Sequence, residues 1–557
     1  MLVSAKIVRG ACWAGGFLLL VALLDWSNGA FESEFGRHPD EGMHYVTGLL
    51  IRDFLTSGQW THPMQFALEY YAHFPKVGLG NWPPVFELLQ AGWGLLFGVS
   101  RVSMLWGMAV LAAALATVSF QAAARFTSVP AAAFATAVML AAPLTQAGAS
   151  MVMAEIPLAL FSFLAILGWV RFAGSPNRRD ALAFGLWTTV AIMTKGNGWV
   201  VPAAAGVALV LQGKWGLLRK SSLWVAGGVI ALICIPYTLV TMSIVVQGWN
   251  SHSLLDFPTL LQSLRVHHGF VAALAGLPLY AVMWIGLADR VIAPAFRRSR
   301  IDPFWSTLAL YGLGIVVFHS LVPTSYEPRK IYQIAPVLCA LLAAGLDWLA
   351  RSITRVLPRV GTVPAQSGAV LLVAAAFVWS GFRWIEPFAP GFVPAVTGVL
   401  ETPDSRGTAI LVASDGTFTD SEAAIIAEWA SRQRDAGTYL LRATKFLSHP
   451  VSRAEGQVEF EPYDKTPEDL KRRLMAVPVA YVIVHTPNTE HPYAHHALLR
   501  TALEQSPGNW ERIYSSQGVA APIEVFHNRT DVRGIPVRFQ VDLSEKLGSP
   551  VVVGPGE

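Results

Sequence analysis

Charged residues are scarce in this chain and make up only 14% of its 557 residues. Soluble proteins carry about 25%, whereas 53% of the residues here are hydrophobic and the mean hydropathy is +0.45. This composition argues against an ordinary soluble enzyme and indicates a polytopic α-helical membrane protein. The formal net charge of +4 is small and spread over many loops, so it gives no reason to expect a nucleic-acid partner.

Cysteine is also scarce. The three cysteines, Cys12, Cys234 and Cys339, each lie inside an apolar run. That placement argues against a structural disulfide and against a cysteine metal site. We expect all three to be packing residues.

Long apolar runs are abundant. A helix needs about 20 apolar residues to cross the hydrocarbon, and about 17 can suffice. The N-terminal run follows Lys6 and Arg9 as in a signal peptide, but we interpret it as an uncleaved first crossing. The sequence predicts eleven crossings, at residues 11–25, 102–124, 129–149, 156–173, 181–194, 198–212, 222–246, 270–288, 303–320, 331–350 and 366–384. A shorter stretch, 83–98, begins with a proline pair and carries Glu87, and we do not count it.

The distribution of Lys and Arg supports this count. With the N-terminus inside, most cations fall on the inner side, as the positive-inside rule requires, and counting 83–98 as a crossing would invert every later loop. We therefore expect 83–98 to lie in the outer interface, together with a helix that has Met43, Val46, Leu50 and Phe54 on one face. The predicted outer segments are 26–101, 150–155, 195–197, 247–269 and 321–330.

The last part of the chain, from about residue 391 to 557, has a mixed polar and apolar sequence with the length of one ordinary domain. Its patterns predict a small α/β domain, placed outside the cytoplasm because the number of crossings is odd. The strands are predicted at 408–414, 480–486, 510–516 and 523–528, and the helices at 420–433 (capped by Asp420), 467–475 and 494–505.

Several ionisable residues fall in the predicted outer segments. Asp40 and Glu41 fit a helix start, where Asp is a favoured N-cap and Glu suits the dipole, and they fit a reaction centre equally well. Glu155 also stands at a helix start. Lys195 lies between two runs of about 15 residues, so its turn is expected below the membrane surface, where an ionisable group is a functional candidate unless it snorkels.

Two further outer segments carry cations. The turn at 321–330 and the residues after it hold Tyr326, Glu327, Arg329, Lys330 and Tyr332, which could be a plain charged turn. The segment 247–269 holds Arg265, His267 and His268. For the adjacent histidines we favour an interfacial role over metal binding, since sequence neighbours rarely point at one ion.

Carboxylates and cations at the membrane surface suit one chemistry. Transfer of a sugar from a lipid phosphate to a hydroxyl needs a base that takes the acceptor's proton. It also needs cations that stabilise the departing phosphate. We therefore expect these groups, scattered along the chain, to serve one site at the outer edge of the bilayer.

Short motifs along the chain resemble the GT-C superfamily of polyprenyl-phosphate-sugar-dependent glycosyltransferases, especially bacterial protein O-mannosyltransferase and lipid A aminoarabinose transferase types. They are "PDEGMHY" (39–45), "NWPPVFELL" (81–89), "MAEIPLALF" (153–161), "TKG" (194–196) and "EPRKIYQIAP" (327–336). The resemblance covers residues 1 to about 390. It implies an inverting transfer in which Asp40 matches the catalytic acid and Glu155 a second acid of the site. Lys195 and Arg329 match positions near the donor phosphate.

The chain departs from the pattern in two places. The aminoarabinose enzymes have Glu-Lys-Pro where this chain has "NWPP", so a phosphate-binding lysine is missing, and Trp82 suggests a different donor or stacking on a sugar. Many relatives have Glu-x-Arg-Tyr where this chain has Lys330 after Arg329, which would move the tyrosine's role to Tyr332 or Tyr326.

We therefore predict a GT-C fold with about eleven transmembrane helices (1–390) and an extracytoplasmic α/β domain (391–557) in a bacterial inner membrane. The expected partners are a polyprenyl-phosphate sugar donor, membrane lipids and a cell-envelope acceptor. The alternatives are a transporter or flippase of lipid-linked sugars and a non-catalytic glycan-binding membrane protein. A divalent cation fits the acid pair, but the reaction does not require one. The candidate site residues are Asp40, Glu41 and Glu155 for catalysis, Lys195, Arg265, Arg329 and Lys330 for the phosphate, and Tyr45, Trp82, Tyr326, Glu327 and Tyr332 for substrate.

Overall fold

The computed structural model describes most of the chain. The described residues are 2–78, 80–246, 257–274, 276–322, 326–415, 421–433, 437–454, 457–487, 492–516, 521–541 and 551–553. The chain forms two compact units. Unit 1 comprises Met1–Gly29, Trp82–Phe86 and Leu105–Glu386, and unit 2 comprises Ala30–Asn81, Glu87–Met104 and Pro387–Glu557.

Helices make up most of unit 1 and part of unit 2. In chain order they are α1 (Leu2–Ser27), α2 (Pro39–Ser57), α3 (Pro63–His73), α4 (Val85–Phe97), α5 (Arg101–Ala123), α6 (Val129–Ala141), α7 (Pro143–Ala149), α8 (Glu155–Gly174), α9 (Arg178–Ile192), α10 (Val200–Leu211), α11 (Ser221–Val246), α12 (Phe257–Ala273), α13 (Leu277–Leu287), α14 (Ala293–Phe296), α15 (Pro303–Leu321), α16 (Ala335–Val356), α17 (Thr362–Ser380), α18 (Phe392–Leu400), α19 (Ser421–Arg432), α20 (Ala443–Phe446), α21 (Pro467–Ala476) and α22 (Ala494–Glu504).

Unit 1 carries the membrane-spanning helices. Among the described residues, eight helical segments are long and apolar enough to cross a membrane, and a ninth is possible if α6 and α7, bent by 63° at Pro143, form one broken span. Each of the eleven segments predicted as crossings overlaps a helix, but two of these helices, α9 and α10, are only 15 and 12 residues long. The chain is a multi-pass membrane protein.

One predicted crossing is displaced. The sequence predicts a crossing from residue 270, but α12 ends at Ala273 and the apolar span is Leu277–Phe296. Gly276, at a positive φ of 80°, precedes the first residue of α13. The predicted outer loop 247–269 therefore contains a helix, and residues 247–256 lie outside the described residues.

Unit 2 contains an α/β domain at its C-terminal end. Its strands are β1 (Ala409–Ser414), β2 (Tyr439–Arg442), β3 (Ser448–Ala454), β4 (Gln457–Pro462), β5 (Val479–His485), β6 (Trp510–Ser515), β7 (Ile523–Asn528), β8 (Phe539–Val541) and β9 (Val551–Val553). Five of them form one sheet in the order β2-β1-β5-β7-β6. Strands β2, β1 and β5 are parallel, and β7 and β6 join antiparallel.

The apolar composition of β1 and β5 explains why these two strands lie in the core of the domain. Strands β1 and β5 are buried along their whole length, as expected for apolar strands covered on both faces. The predicted strands and helices are all present here. The predicted cap Asp420 lies outside the described residues, and β2, the β3–β4 and β8–β9 hairpins, α18 and α20 were not predicted.

The first outer loop folds with this domain inside unit 2. Helix α2 packs against α19, and Gly42 lies so close to Ala423 that a Cβ there would collide with its backbone carbonyl. Val46 and Leu50, predicted to face the membrane interface, are buried. That prediction is wrong because the apolar face of α2 is covered by protein.

Helix α4 corresponds to the stretch 83–98, which the sequence predicts to lie in the outer interface. Leu88, Leu95, Leu96 and Phe97 are exposed, as suits a short helix beside lipid, while Glu87 is buried. The backbone N–H of Val85 donates to the carbonyl of Met193 at 2.9 Å. Its placement in the outer interface remains a prediction.

Candidate active site

A nearly buried ion cluster in unit 1 joins three segments that are distant in sequence. Glu155 is the first residue of α8, Lys195 precedes the 3-10 turn at Gly196–Trp199, and Arg329 lies in the 3-10 turn at Pro328–Ile334. The Oε1 atom of Glu155 accepts from Lys195 Nζ at 2.7 Å and from Arg329 Nη1 at 2.8 Å. The structure thus brings together Glu155, Lys195 and Arg329, as the sequence predicts.

Two more charges extend this cluster. Glu327 accepts from Arg329 Nε at 2.5 Å, and its other oxygen is 3.6 Å from Lys330 Nζ. We define the cation cluster as Glu155, Lys195, Glu327, Arg329 and Lys330. It holds three cations and two carboxylates, so its formal charge is +1. Three cations held close together at a site with so little solvent exposure favour an anionic ligand.

Histidines lie beside the cation cluster. The His319 ring, in α15, is 5.9 Å from that of His267, in α12, and its Nε2 is 3.4 Å from the Asn197 amide nitrogen. The exposed Tyr326 packs its ring edge-on at 5.7 Å from His267. The sequence singled out His267 but not His319, whose position inside an apolar span was the available signal.

Three other candidates in unit 1 have different surroundings. Tyr332 is buried and donates to Thr145 at 3.1 Å. Arg265 is exposed on α12 and makes no ion pair with another described residue. Trp82 is half-buried, and its carbonyl accepts from the Tyr237 hydroxyl in α11 at 2.7 Å.

The acid pair in unit 2 has two distinct environments. Asp40 is not the N-cap of α2. That position belongs to His38, whose Nδ1 accepts from the Asp40 backbone N–H at 3.1 Å. The Asp40 carboxylate lies 3.7 Å from the same nitrogen, and its side chain is 26% exposed. Because that nitrogen already accepts a hydrogen, it does not donate to the carboxylate.

Glu41 is fully buried. Its Oε2 accepts from the Gly36 backbone N–H at 3.1 Å, and its Oε1 is 3.4 Å from Arg101 Nη2. Arg101 also donates to the carbonyls of Ala30 and Ser33, at 2.8 and 2.9 Å. Glu41 therefore anchors the loop, and Asp40 is the more exposed acid of the pair.

Other buried polar groups of this loop were not predicted to act together. His44 Nδ1 is 2.8 Å from Glu87, which accounts for the acid in the apolar stretch 83–98. Glu34 accepts from the backbone N–H groups of Gly391, Phe392 and Val393 at 2.7–3.0 Å. Burial raises the pKa of Glu34, and these bonds oppose the rise.

Tyr45 is fully buried in the same loop. Its hydroxyl donates to the carbonyl of Val99 at 2.5 Å, and its ring packs 4.4 Å from that of Phe35. These contacts give Tyr45 a packing role in this structure.

Comparison with known proteins gives two kinds of similarity. Residues 81–239 match the family model described as dolichyl-phosphate-mannose-protein mannosyltransferase. The structure of ArnT from Cupriavidus metallidurans bound to undecaprenyl phosphate is similar with a TM-score of 0.53 and 16% identity, over 94% of this chain and 98% of that one. The structure of the same ArnT in the apo state has a TM-score of 0.54 and 17% identity, again over 94% of this chain and 98% of that one. The chain has a GT-C fold.

A third structure supports the GT-C fold. The Archaeoglobus fulgidus oligosaccharyltransferase in complex with Zn and sulfate has a TM-score of 0.55 and 12% identity, over 85% of this chain and 67% of that one. The GT-C resemblance and the fold class inferred from sequence are thus confirmed. A search of curated protein sequences finds no match.

No metal centre is evident among the residues that the structure describes. Within the described parts of the chain, no group of three or more His, Cys, Asp or Glu side chains is arranged to hold a metal ion. The acid pair does not form one either, since Glu41 is already engaged by Arg101.

Proposed function

We propose that this protein transfers a sugar from a polyprenyl-phosphate-linked donor to an extracytoplasmic acceptor, with inversion at the anomeric carbon. The cation cluster is the observation that carries the proposal. Its convergent cations and low exposure suit a phosphate, and the similar ArnT structure is one bound to undecaprenyl phosphate. The family model matched by residues 81–239 describes a transferase that uses a lipid-phosphate sugar.

The cation cluster would act on the leaving group. When the bond between the anomeric carbon and the phosphate oxygen breaks, the lipid phosphodiester becomes a monoester and gains one negative charge. Lys195 and Arg329 would stabilise that charge more strongly in the transition state than in the bound donor. Glu155, which bonds both, would hold them in position, and Lys330 would add charge.

Asp40 would be the general base. As the acceptor hydroxyl attacks the anomeric carbon, its proton passes to the Asp40 carboxylate, so one bond forms and one breaks without a covalent intermediate. General base catalysis contributes about 100- to 10,000-fold. The partial exposure of Asp40 supports this role better than the full burial of Glu41.

The test uses purified full-length protein and synthetic undecaprenyl-phosphate sugars, with release of undecaprenyl phosphate as readout and envelope extract from a deletion strain as acceptor. Asp40→Asn should lower release at least about 100-fold with unchanged binding of undecaprenyl phosphate. Asp180→Asn is the matched control, because Asp180 also stands in the first turn of a helix. Full activity of Asp40→Asn would refute the assignment.

Binding of the phosphate is tested separately. Arg329→Met should weaken undecaprenyl phosphate binding by about tenfold or more, which corresponds to about 1.4 kcal/mol. Arg351→Met, which removes another ion-paired arginine, should leave binding unchanged. Equal affinities for the two variants would contradict the role of the cluster.

We also propose that this protein lies in a bacterial inner membrane with the cation cluster and the α/β domain outside the cytoplasm. Membrane-impermeant maleimide should label Gly196→Cys, beside Lys195, in intact cells. It should not label Ser175→Cys, in the exposed turn between α8 and α9. The reverse pattern would overturn the topology.

A further inference from the structure

The residue that caps α2 is a histidine, two positions before Asp40. His38 has the extended backbone of an N-cap, with φ −131° and ψ 140°, and Pro39 follows it as the first helical residue. Serine, threonine, asparagine and aspartate are the residues usually preferred at an N-cap. Because proline has no N–H, the first backbone N–H of α2 that needs an acceptor is that of Asp40. The identity of the cap therefore bears directly on Asp40.

The capping bond fixes the tautomer of His38. Its Nδ1 atom accepts from the Asp40 backbone N–H at 3.1 Å. A ring nitrogen that accepts carries no proton, so the neutral ring has its proton on Nε2. The Oδ2 atom of Asp40 lies 3.7 Å from Nδ1, and no hydrogen bond forms between these two acceptor atoms. His38 thus holds the backbone of Asp40 without donating to its carboxylate from Nδ1.

Two other helices of the chain have caps of a different kind. In α9, Asn177 accepts from the backbone N–H of Asp180 at 2.9 Å, and its amide donates to the Asp180 carboxylate at 2.6 Å. In α21, the Thr466 hydroxyl accepts from the backbone N–H of Asp469 at 3.2 Å and donates to its carboxylate at 2.7 Å. Each of these caps therefore bonds both the backbone N–H and the carboxylate of an acid, which stands three residues after the cap instead of two.

A hydrogen bond donated by the cap weakens the acid as a base. The Thr466 hydroxyl, together with Arg472, lowers the pKa of Asp469, because a hydrogen bond to the charged form of a carboxyl group favours that form. A carboxylate with a lowered pKa has a smaller affinity for a proton. A general base is most efficient when its pKa lies close to the working pH. An asparagine or threonine cap beside Asp40 would therefore make Asp40 a weaker base.

We infer that His38 is a positioning residue for the transfer reaction, because it fixes the start of α2 without donating the hydrogen bond that would weaken the Asp40 carboxylate as a base. The side chains of His38 and Asp40 are 21% and 26% exposed, so solvent reaches both. Stability of the helix alone does not call for a histidine, since asparagine and aspartate are preferred caps. The inference rests on the proposed role of Asp40 as the general base.

The test exchanges the cap in the full-length protein and measures kcat and KM for release of undecaprenyl phosphate at pH 8, where carboxylates are ionised. His38→Asn and His38→Asp introduce side chains of nearly the same shape, which cap helices equally well. The asparagine amide can donate to the Asp40 carboxylate, whereas an aspartate, like Nδ1 of His38, only accepts. His38→Asn should therefore lower kcat about tenfold with unchanged KM, and His38→Asp should keep kcat within about threefold of the wild type.

Further variants separate this role from helix capping and from the proposed function. His38→Thr, which copies the cap of α21, should lower kcat as His38→Asn does, and it decides the matter if that variant does not fold. Asn177→His, the reverse exchange at α9, should leave kcat and KM unchanged. If Asp40→Asn is inactive while His38→Asn and His38→Asp have equal kcat, or His38→Asp is the slower, the inference is overturned and the general base stands. If Asp40→Asn is fully active, the proposed function and the inference are both refuted.

Discussion

Mild acid should destabilise the α/β domain, because His485, His495 and His496 are buried there in neutral form. Their pKa values fall from 6.5 to about 4, 4 and 3, chiefly through burial. In the unfolded chain the same rings take up protons near pH 6.5. The stability that depends on their neutrality is present above pH 6.5 and is lost as the pH falls towards 4.

Asp415 acts in the opposite direction. Burial raises its pKa from 3.8 to about 7, and Arg500 opposes the rise. The folded domain therefore keeps a proton that the unfolded chain releases, and the resulting stability is present below pH 3.8 and is lost as the pH rises through 7. Between pH 6 and 5 the unfolded state binds a net excess of about 1.5 protons. The free energy of unfolding should then fall by about 2 kcal/mol over that unit.

Hydrogen exchange of the most protected amides in β1 and β5, corrected for the intrinsic pH dependence of exchange, measures this free energy in the intact protein. Replacing His495 by leucine removes one titrating ring and should reduce the loss between pH 6 and 5 by about 1 kcal/mol. His449→Asn, in β3 and stacked on Tyr463, should leave it unchanged. A free energy of unfolding that does not fall over this range, or the same fall in His495→Leu, would refute the reasoning.

Three further variants test the packing of unit 2. Glu41→Gln should lower the free energy of unfolding by about 3 kcal/mol, because it leaves the Arg101 guanidinium buried without its carboxylate; a thermal shift no larger than that of Asp40→Asn would contradict this. Glu34→Ala should expose α18 to limited proteolysis, since three backbone N–H groups lose their acceptor at a cost of about 1–3 kcal/mol, and wild-type resistance would argue against it. Gly42→Ala should disrupt the packing of α2 on α19 and reduce the yield of folded protein, whereas Gly92→Ala, whose Cβ would meet no atom within 4 Å, should not.

Local patterns predicted much of the fold. Apolar runs located most helices of the membrane part, although α12 was missed because it lies in the predicted outer loop 247–269. The apolar stretches at β1 and β5 marked two strands in the interior of the sheet. These signals suffice because burial in lipid or in a covered parallel sheet needs only a local run of apolar residues. The count of crossings was less reliable, since α9 and α10 fall short of a full span.

Long-range pairing could not be predicted. An apolar stripe on α2 suits lipid and protein equally well; it consists of Met43, Val46, Leu50 and Phe54. Only the fold shows that α19, which follows more than 360 residues later in the chain, covers α2. In the candidate site, Glu155, Lys195 and Arg329 were correctly grouped. Asp40 is partly exposed and Glu41 is buried against Arg101. No local pattern in the sequence indicates that Arg101 pairs with Glu41.

The bonds from Glu34 to the start of α18 and from the Phe35 backbone N–H to Glu428, at 2.8 Å, have a practical consequence for deletion experiments. A protein that ends near residue 390 would lose α18 and α19, and with them the residues to which Glu34 and Phe35 in the loop bearing Asp40 are bonded. Inactivity of such a shortened protein would therefore reveal nothing about acceptor recognition, and the purpose of the C-terminal region must be sought with point changes that leave these bonds intact.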